Sequence, residues 1–365
     1  MLFYLSHWDW ILFKSRSDIA DNLRADGFNI SSITPTKKYR DSIYKSFNDH
    51  YEWKVDRKKF LDFSGVFKLK NIIRNIDQND ILHIFTLKSG IYYVLASIFH
   101  IRKYKVIISI TGLGYLFSRN KIIKIVRLLI RPVLIYLFNS NVDYLIFQNK
   151  QDSNLFIKYL KFKNKTAIIR GSGINTTKFE LKEKNYPKEE IKVLMCNRLL
   201  KDKGIEEYFE LSKKLSGSKN LNFFLAGEID PGNPASYKKE DIEELISINN
   251  IRYLGNLDVE KKLKDFDVLI HMSSHEGLPR IVLESMYVGL TTISNNLPGL
   301  AEIIDKNDNL YLIENNYLDG YLEVIKNLPL DNFKKKINYS RKKIIDKFST
   351  DYIYNEFKAI YESIV

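Results

Sequence analysis

Apolar positions along the chain fall into two alternating patterns. Short, mostly apolar runs, "DILHIF" (80–85), "KVIISIT" (105–111), "DYLIFQ" (143–148) and "TAIIRG" (166–171), predict strands. Between them lie longer stretches with helical spacing: "SDIADNLRADGF" (17–28), "SGIYYVLASIFHI" (89–101) and "NKIIKIVRLLIRPVLIYLF" (120–138). After residue 190 the alternation restarts. "KVLMCNRL" (192–199), "LNFFLAG" (221–227), "IRYLG" (251–255), "DVLIHMS" (267–273) and "TTISN" (291–295) read as strands. The helices "GIEEYFELSKKLS" (204–216) and "PRIVLESMYVG" (279–289) intervene. Strand–helix alternation favours parallel sheets covered by helices on both faces. The polar stretch "NTTKFELKEKNYPKEE" (175–190) separates the two series and reads as a linker. The expected fold is therefore α/β, with two Rossmann-like doubly wound domains, residues 1–174 and 191–349, facing a cleft. Such sheets bind ligands beyond the C-terminal ends of their strands, so candidate residues are sought where strands end.

Composition narrows the picture. At 365 residues, with 45% hydrophobic content, the chain is long enough for two packed cores. A single cysteine, Cys196, excludes an internal disulfide and fits a reducing compartment. Asp9 interrupts the N-terminal apolar residues, so no signal peptide is predicted. No apolar run reaches the roughly 18–20 residues needed to span a bilayer. The net charge of +13 is uneven: residues 1–175 carry +16, the remainder −3. A basic first half beside a near-neutral second half predicts an anionic partner, with nucleic acid, anionic lipid and diphosphate-linked substrates as the candidates.

The strand exits supply candidate chemistry. In "LMCNRLLKDKGI" (194–205), Arg198 and Lys203 flank a short loop before a helix opens near Gly204. A helix N-terminus with two added cations suits a diphosphate. A solvated basic turn has the same spelling. In "HEGLPRIVLE" (275–284), Pro279 belongs in a first helical turn, which leaves Glu276 in the exit loop and carries Glu284 about five residues into the helix. Carboxylates accept hydrogen bonds from paired sugar hydroxyls. Taken alone, Glu284 reads equally well as a helix-surface residue. Asp265 and Asp267 form an Asp-x-Asp pair, but on the N-terminal side of their strand, so they are read as a turn; no metal site is predicted. "GLGYLF" (112–117) and "GSGINT" (171–176) lack the third glycine of a dinucleotide fingerprint. Lys121, Lys124, Arg127 and Arg131 fall on one helical stripe with Ile and Leu opposite. That stripe fits an anionic membrane surface, or a core helix with a solvated basic face.

Together these motifs resemble the retaining glycosyltransferases of family 4, which have the GT-B fold, and within them the bacterial capsule and O-antigen branch. The resemblance runs through "DIADNLRADGF", "TGLGYLF", "YLIFQNKQD", "RGSGIN", "NRLLKDKGI", "LAGEIDPGNP", "IRYLGNLDV" and "HEGLPRIVLESMYVGLTTISNNLPGLAEII". The closing "FSTDYIYNEFKAIYESIV" resembles the family's terminal helix (350–365), which returns to the N-terminal domain. The resemblance implies an acceptor-binding first domain and a nucleotide-sugar-binding second domain. It implies that Arg198 and Lys203 hold the donor diphosphate, Glu276 contacts the transferred sugar and Glu284 the ribose. Gly277, Leu278, Pro279 and Arg280 would line the donor, and Gly112 and Gly114 the acceptor side. Many relatives carry a histidine where this chain has Thr111, which leaves the N-terminal side without an assigned acid or base. The implied reaction moves a hexose or N-acetylhexosamine from a nucleotide sugar, by analogy a UDP-sugar, to a saccharide on undecaprenyl diphosphate. It needs no metal or cofactor and takes place at the inner face of the plasma membrane. A GT-B sugar-nucleotide epimerase is the neighbouring alternative. Nucleic-acid binding finds no zinc-finger spacing, RNP element or basic heptads in support.

Overall fold

The computed structural model describes residues 1–364 other than 37, 60, 99, 101, 118–120, 184–188, 219, 249–250, 315–317 and 329–332. Parts of the expected linker (184–188) and of two expected helices (99, 101 and 120) thus lie outside the described residues. The chain divides into two compact units, Met1–Gly173 with Thr350–Val365, and Ile174–Ser349.

In the first unit, the strands are β1 (Leu2–Leu5), β2 (Ile30–Thr34), β3 (Asp49–Glu52), β4 (Ile81–Phe85), β5 (Lys105–Ile110), β6 (Tyr144–Phe147) and β7 (Lys165–Ile168). They form one parallel sheet in the order β3-β2-β1-β4-β5-β6-β7. Alternate side chains leave opposite faces: Leu82 and Ile84 of β4 enter one apolar cluster, Ile81 and Phe85 another. The helix Thr350–Ile364 closes the second face through Ile353, Phe357 and Tyr361. Tyr361 Oη lies 2.6 Å from His83 Nδ1 and 3.0 Å from Tyr4 Oη, so the helix is pinned by polar bonds as well as by burial.

In the second unit, β8 (Ile191–Cys196), β9 (Leu221–Ala226), β10 (Ile251–Tyr253), β11 (Val268–His271), β12 (Thr291–Asn295) and β13 (Leu310–Ile313) are also all parallel, in the order β10-β9-β8-β11-β12-β13. Each sheet reverses direction of growth once, between β1 and β4 and between β8 and β11. Those are the topological switch points at which such sheets open a crevice. Two parallel α/β sheets were expected and are found. The first sheet is wider than the sequence pattern indicated, because β1, β2 and β3 are absent from the four runs that pattern recognised.

The long helix Lys121–Asn141 departs from expectation. Its cations do not share one solvent face. Lys121 and Lys124 are exposed, but Arg127 and Arg131 turn onto aromatic side chains. Arg127 lies 4.7 Å from the Phe117 ring centroid, and Arg131 donates through Nε to Tyr159 O at 2.9 Å. The outward face is instead apolar: Ile125, Leu128, Leu129, Val133 and Tyr136 are 53–72% exposed. Arginine stacks well on aromatic planes, and those planes come from outside the helix, so its own periodicity does not reveal the rotation. Among the described residues no helix is long and apolar enough to cross a membrane.

Candidate active site

The exits of β8 and β11 are stitched together at the second unit's switch point. After β8 the chain makes a 3-10 turn, Lys201–Lys203, then enters the helix Ile205–Lys214 through Gly204. Gly204 has φ +75, and a Cβ there would lie 2.4 Å from Met272 Cβ and 2.6 Å from Met272 O. Only glycine allows this approach, and the approach sets Lys203 against the β11 exit. Ser274 N and Oγ both donate to Asp202 O, at 3.0 and 3.2 Å.

Lys203 is 7% exposed, and its ammonium donates to Glu276 Oε1 at 2.9 Å and to Ser273 Oγ at 3.1 Å. The same carboxylate oxygen lies 3.2 Å from His271 Nε2, while His271 Nδ1 lies 3.0 Å from Ser294 Oγ. Glu276 Oε1 is thus anchored twice, and Oε2 is left to point elsewhere. Burial alone would raise this carboxyl's pKa. The Lys203 charge and the His271 bond outweigh that and hold it well below the usual carboxylate range, so it is ionised at any working pH. The β11 exit is braced from β12: Asn295 Nδ2 donates to Met272 O at 2.9 Å, and Tyr321 Oη donates to Asn295 Oδ1 at 2.8 Å.

The helix Arg280–Val288 starts after Pro279, as its proline suggested, so Glu276 is in the loop and Glu284 inside the helix. Glu284 is 4% exposed and accepts from Arg280 Nε at 2.6 Å, which removes the reading of it as a helix-surface residue. Gly277 and Leu278 form the turn between Glu276 and that helix. Arg198 stands at the β8 exit, with Nη1 3.3 Å from Asp230 Oδ2 of the β9 exit loop. Lys203, Ser273, His271 and Glu276 are therefore directly bonded, whereas Arg198 and Glu284 have partners of their own. Asp267 sits at the N-terminal end of β11, where Oδ2 accepts from Lys192 N at 3.0 Å and holds strands together. Among the described residues no three His, Cys, Asp or Glu side chains are grouped to hold a metal ion.

Sequence reading missed His271, Ser273 and Asp230. His271 lies inside an apolar strand and looks like core, and its role appears only once Glu276 is folded back against it. In the first unit, Gly112 and Gly114 follow β5 with φ +150 and +58, beside the half-buried Thr111.

Two parallel sheets, each in Rossmann order, are the architecture of the GT-B fold. The family model described as glycosyl transferases group 1 matches residues 176–344, and the one described as glycosyl transferase 4-like matches residues 2–149. The chain belongs to the group 1 glycosyltransferases of family 4, whose donors are nucleotide sugars. It is 25% identical to the N,N'-diacetylbacillosaminyl-diphospho-undecaprenol alpha-1,3-N-acetylgalactosaminyltransferase of Campylobacter jejuni, over 99% of this chain and 98% of that one. It is 22% identical to the capsular polysaccharide biosynthesis glycosyltransferase CapM of Staphylococcus aureus, over 56% and 57% of the two chains. Among solved structures, a glycosyltransferase from Rickettsia africae superimposes with TM-score 0.76 at 17% identity, covering 100% of this chain and 98% of that one. Anabaena HepE in complex with UDP and glucose gives 0.76 at 14% identity, covering 99% of each. At these identities the structural likeness establishes the fold.

Proposed function

We propose that this enzyme transfers a hexose or N-acetylhexosamine from a UDP-sugar to a saccharide carried on a polyprenyl diphosphate, with retention of configuration and without a metal. One observation carries the reading: Lys203 and Glu276 are bonded to each other at the switch point where nucleotides bind in sheets of this order. The second unit takes the donor and the first takes the acceptor. The name of the Campylobacter relative, an N-acetylgalactosaminyltransferase acting on a diphospho-undecaprenol saccharide, supports the acceptor class, and the UDP in HepE supports the nucleotide.

The mechanism follows from charge. Breaking the sugar–phosphate bond leaves negative charge on a diphosphate and positive charge on the anomeric carbon. Arg198, Lys203 and the N-terminus of helix Ile205–Lys214 stabilise the departing anion. Glu276, ionised and fixed through Oε1, offers Oε2 to the hydroxyls of the transferred sugar. Glu284 takes the ribose hydroxyls, and the Gly277–Arg280 turn brings backbone N–H groups towards sugar and phosphate. The leaving phosphate accepts the proton of the attacking acceptor hydroxyl on the same face, so no separate base is required where Thr111 stands.

The helix Lys121–Asn141 rests on the headgroup region of an anionic bilayer. Its exposed apolar face, with Lys121 and Lys124 beside it, has the composition of an interfacial helix. Acceptor-dependent release of UDP tests the transfer. A sugar-nucleotide epimerase turns over its substrate without any acceptor, and that outcome would replace this reading.

A further inference from the structure

The first unit has its own switch point, between β1 and β4, and the side chains there are built as a site. The loop after β1 is Ser6-His7-Trp8, and the loop after β4 is Thr86, which caps the helix Leu87–Ser97. The His7 backbone N–H donates to Ser89 Oγ at 3.0 Å, and His7 Nδ1 lies 2.9 Å from the same hydroxyl and 3.3 Å from Thr86 Oγ1. One ring nitrogen is therefore fixed between two hydroxyls. The other, Nε2, has no partner among the described residues, and His7 is half-buried. Burial, with the charges of Lys88 and Arg57, pushes the imidazole down to about 3, so the ring is neutral and its free nitrogen remains a directional hydrogen-bonding atom.

Two further features mark the place. Thr86 has φ +82, a conformation that a β-branched residue adopts only when its surroundings impose it, and such strain gathers at functional sites. Beside His7, the Arg57 guanidinium lies 4.0 Å from the Trp8 ring centroid, and Trp8 stacks on Trp10 at 4.9 Å and 21°. The half-exposed Trp10 ends this stack, and an aromatic face suits the apolar face of a pyranose as it suits any flat apolar group. A hydroxyl-directed neutral nitrogen next to an aromatic plate is the chemistry of an uncharged sugar ring.

We infer that this crevice is a saccharide subsite, in which His7 Nε2 hydrogen-bonds a hydroxyl of the acceptor's terminal sugar and Trp10 covers its ring. The inference rests on the glycosyl-transfer reading and supplies the first-unit contact that Thr111 leaves open. His7 acts here as a binding group; the proton of the attacking hydroxyl still leaves with the phosphate.

Of the three tryptophans, Trp53 is fully buried and donates to Gly65 O, so a ligand-induced change in emission reports Trp8 and Trp10. The probe is a short-prenyl diphosphate monosaccharide that supports UDP release by the wild-type enzyme. Its titration changes tryptophan emission saturably, and Trp10→Leu shrinks that change to what Trp8 alone reports while the thermal shift produced by UDP persists. His7→Asn keeps a group able to bond Ser89 and loses the outward nitrogen. It raises acceptor KM roughly three- to tenfold, the worth of one hydrogen bond, with donor KM unchanged. His7→Gln, which reaches outward, recovers part of the loss. An emission change as large in Trp10→Leu as in the wild type, unaltered acceptor KM in His7→Asn, or parallel shifts in donor KM and melting temperature would overturn the inference while leaving glycosyl transfer in place. If UDP binds but no saccharide acceptor releases it, the transfer reading fails and the subsite fails with it.

Discussion

Replacing Lys203 by methionine removes one charge from a position only 7% exposed and keeps most of the side chain's apolar volume. The ammonium donates to Glu276 Oε1 at 2.9 Å, and in the proposed reaction it also faces the departing diphosphate. Removing one preorganised group of this kind lowers kcat by about 10²–10³, or about 2.7–4 kcal/mol of barrier. A second effect arises in the ground state. Glu276 keeps only His271, and breaking a buried pair from one side costs about 3–5 kcal/mol of stability. The Glu276 side chain is still 23% exposed, which places the cost at the lower end of that range. Lys203→Met/Glu276→Gln removes both charges and recovers much of the lost melting temperature without recovering turnover. The assay is initial-rate UDP release at saturating donor and acceptor, with a thermal melt on the same preparations. A Lys203→Met enzyme that melts like the wild type and turns over within threefold of it would refute the assignment.

Further outcomes follow from the same geometry. His271→Leu frees Glu276 Oε1 on one side, so it weakens UDP-sugar binding relative to UDP, roughly tenfold in the ratio of the two Kd values by titration calorimetry; an unchanged ratio would remove His271 from the site. Changing Leu128, Leu129 and Val133 together to serine, or Lys121 and Lys124 to glutamate, reduces co-flotation with anionic vesicles; equal flotation of all variants would rule the helix out as the contact. His7 and His83 are both held neutral by burial, with folded pKa values below the ordinary 6.5. Protons then bind the unfolded chain preferentially below that pH, so stability is full above about 6.5 and falls as pH drops towards 3. Melting temperatures flat across that window would contradict the buried, neutral assignment.

Much of this was legible in the sequence, and the gaps have physical causes. β11 and most strand cores are short apolar runs bounded by turn residues, and Pro279 alone separated the settings of Glu276 and Glu284. β3, "DHYE", is an edge strand with no apolar alternation to betray it, and β1 is only four residues long at the very start. The rotation of helix Lys121–Asn141 is decided by Phe117 and by Tyr159, which lies well beyond its end, so spacing within the helix could not predict which cations would be packed. His271 is hidden by the same logic: in an apolar strand, a histidine gains meaning only from what folds across it. The second-unit residues Arg198, Lys203 and Glu276 lie at or just beyond strand exits, where parallel sheets put chemistry, and Glu284 lies in the helix that follows.

The central claim is metal-free transfer driven by cations at a strand exit. Its most direct measurement incubates the purified enzyme with a UDP-sugar and a synthetic polyprenyl-diphosphate saccharide in excess EDTA. The account predicts one UDP released per glycosidic bond formed, with the donor's anomeric configuration kept in the product. Turnover that vanishes in EDTA and returns with a divalent cation, an inverted linkage, or conversion of the UDP-sugar without acceptor would contradict it.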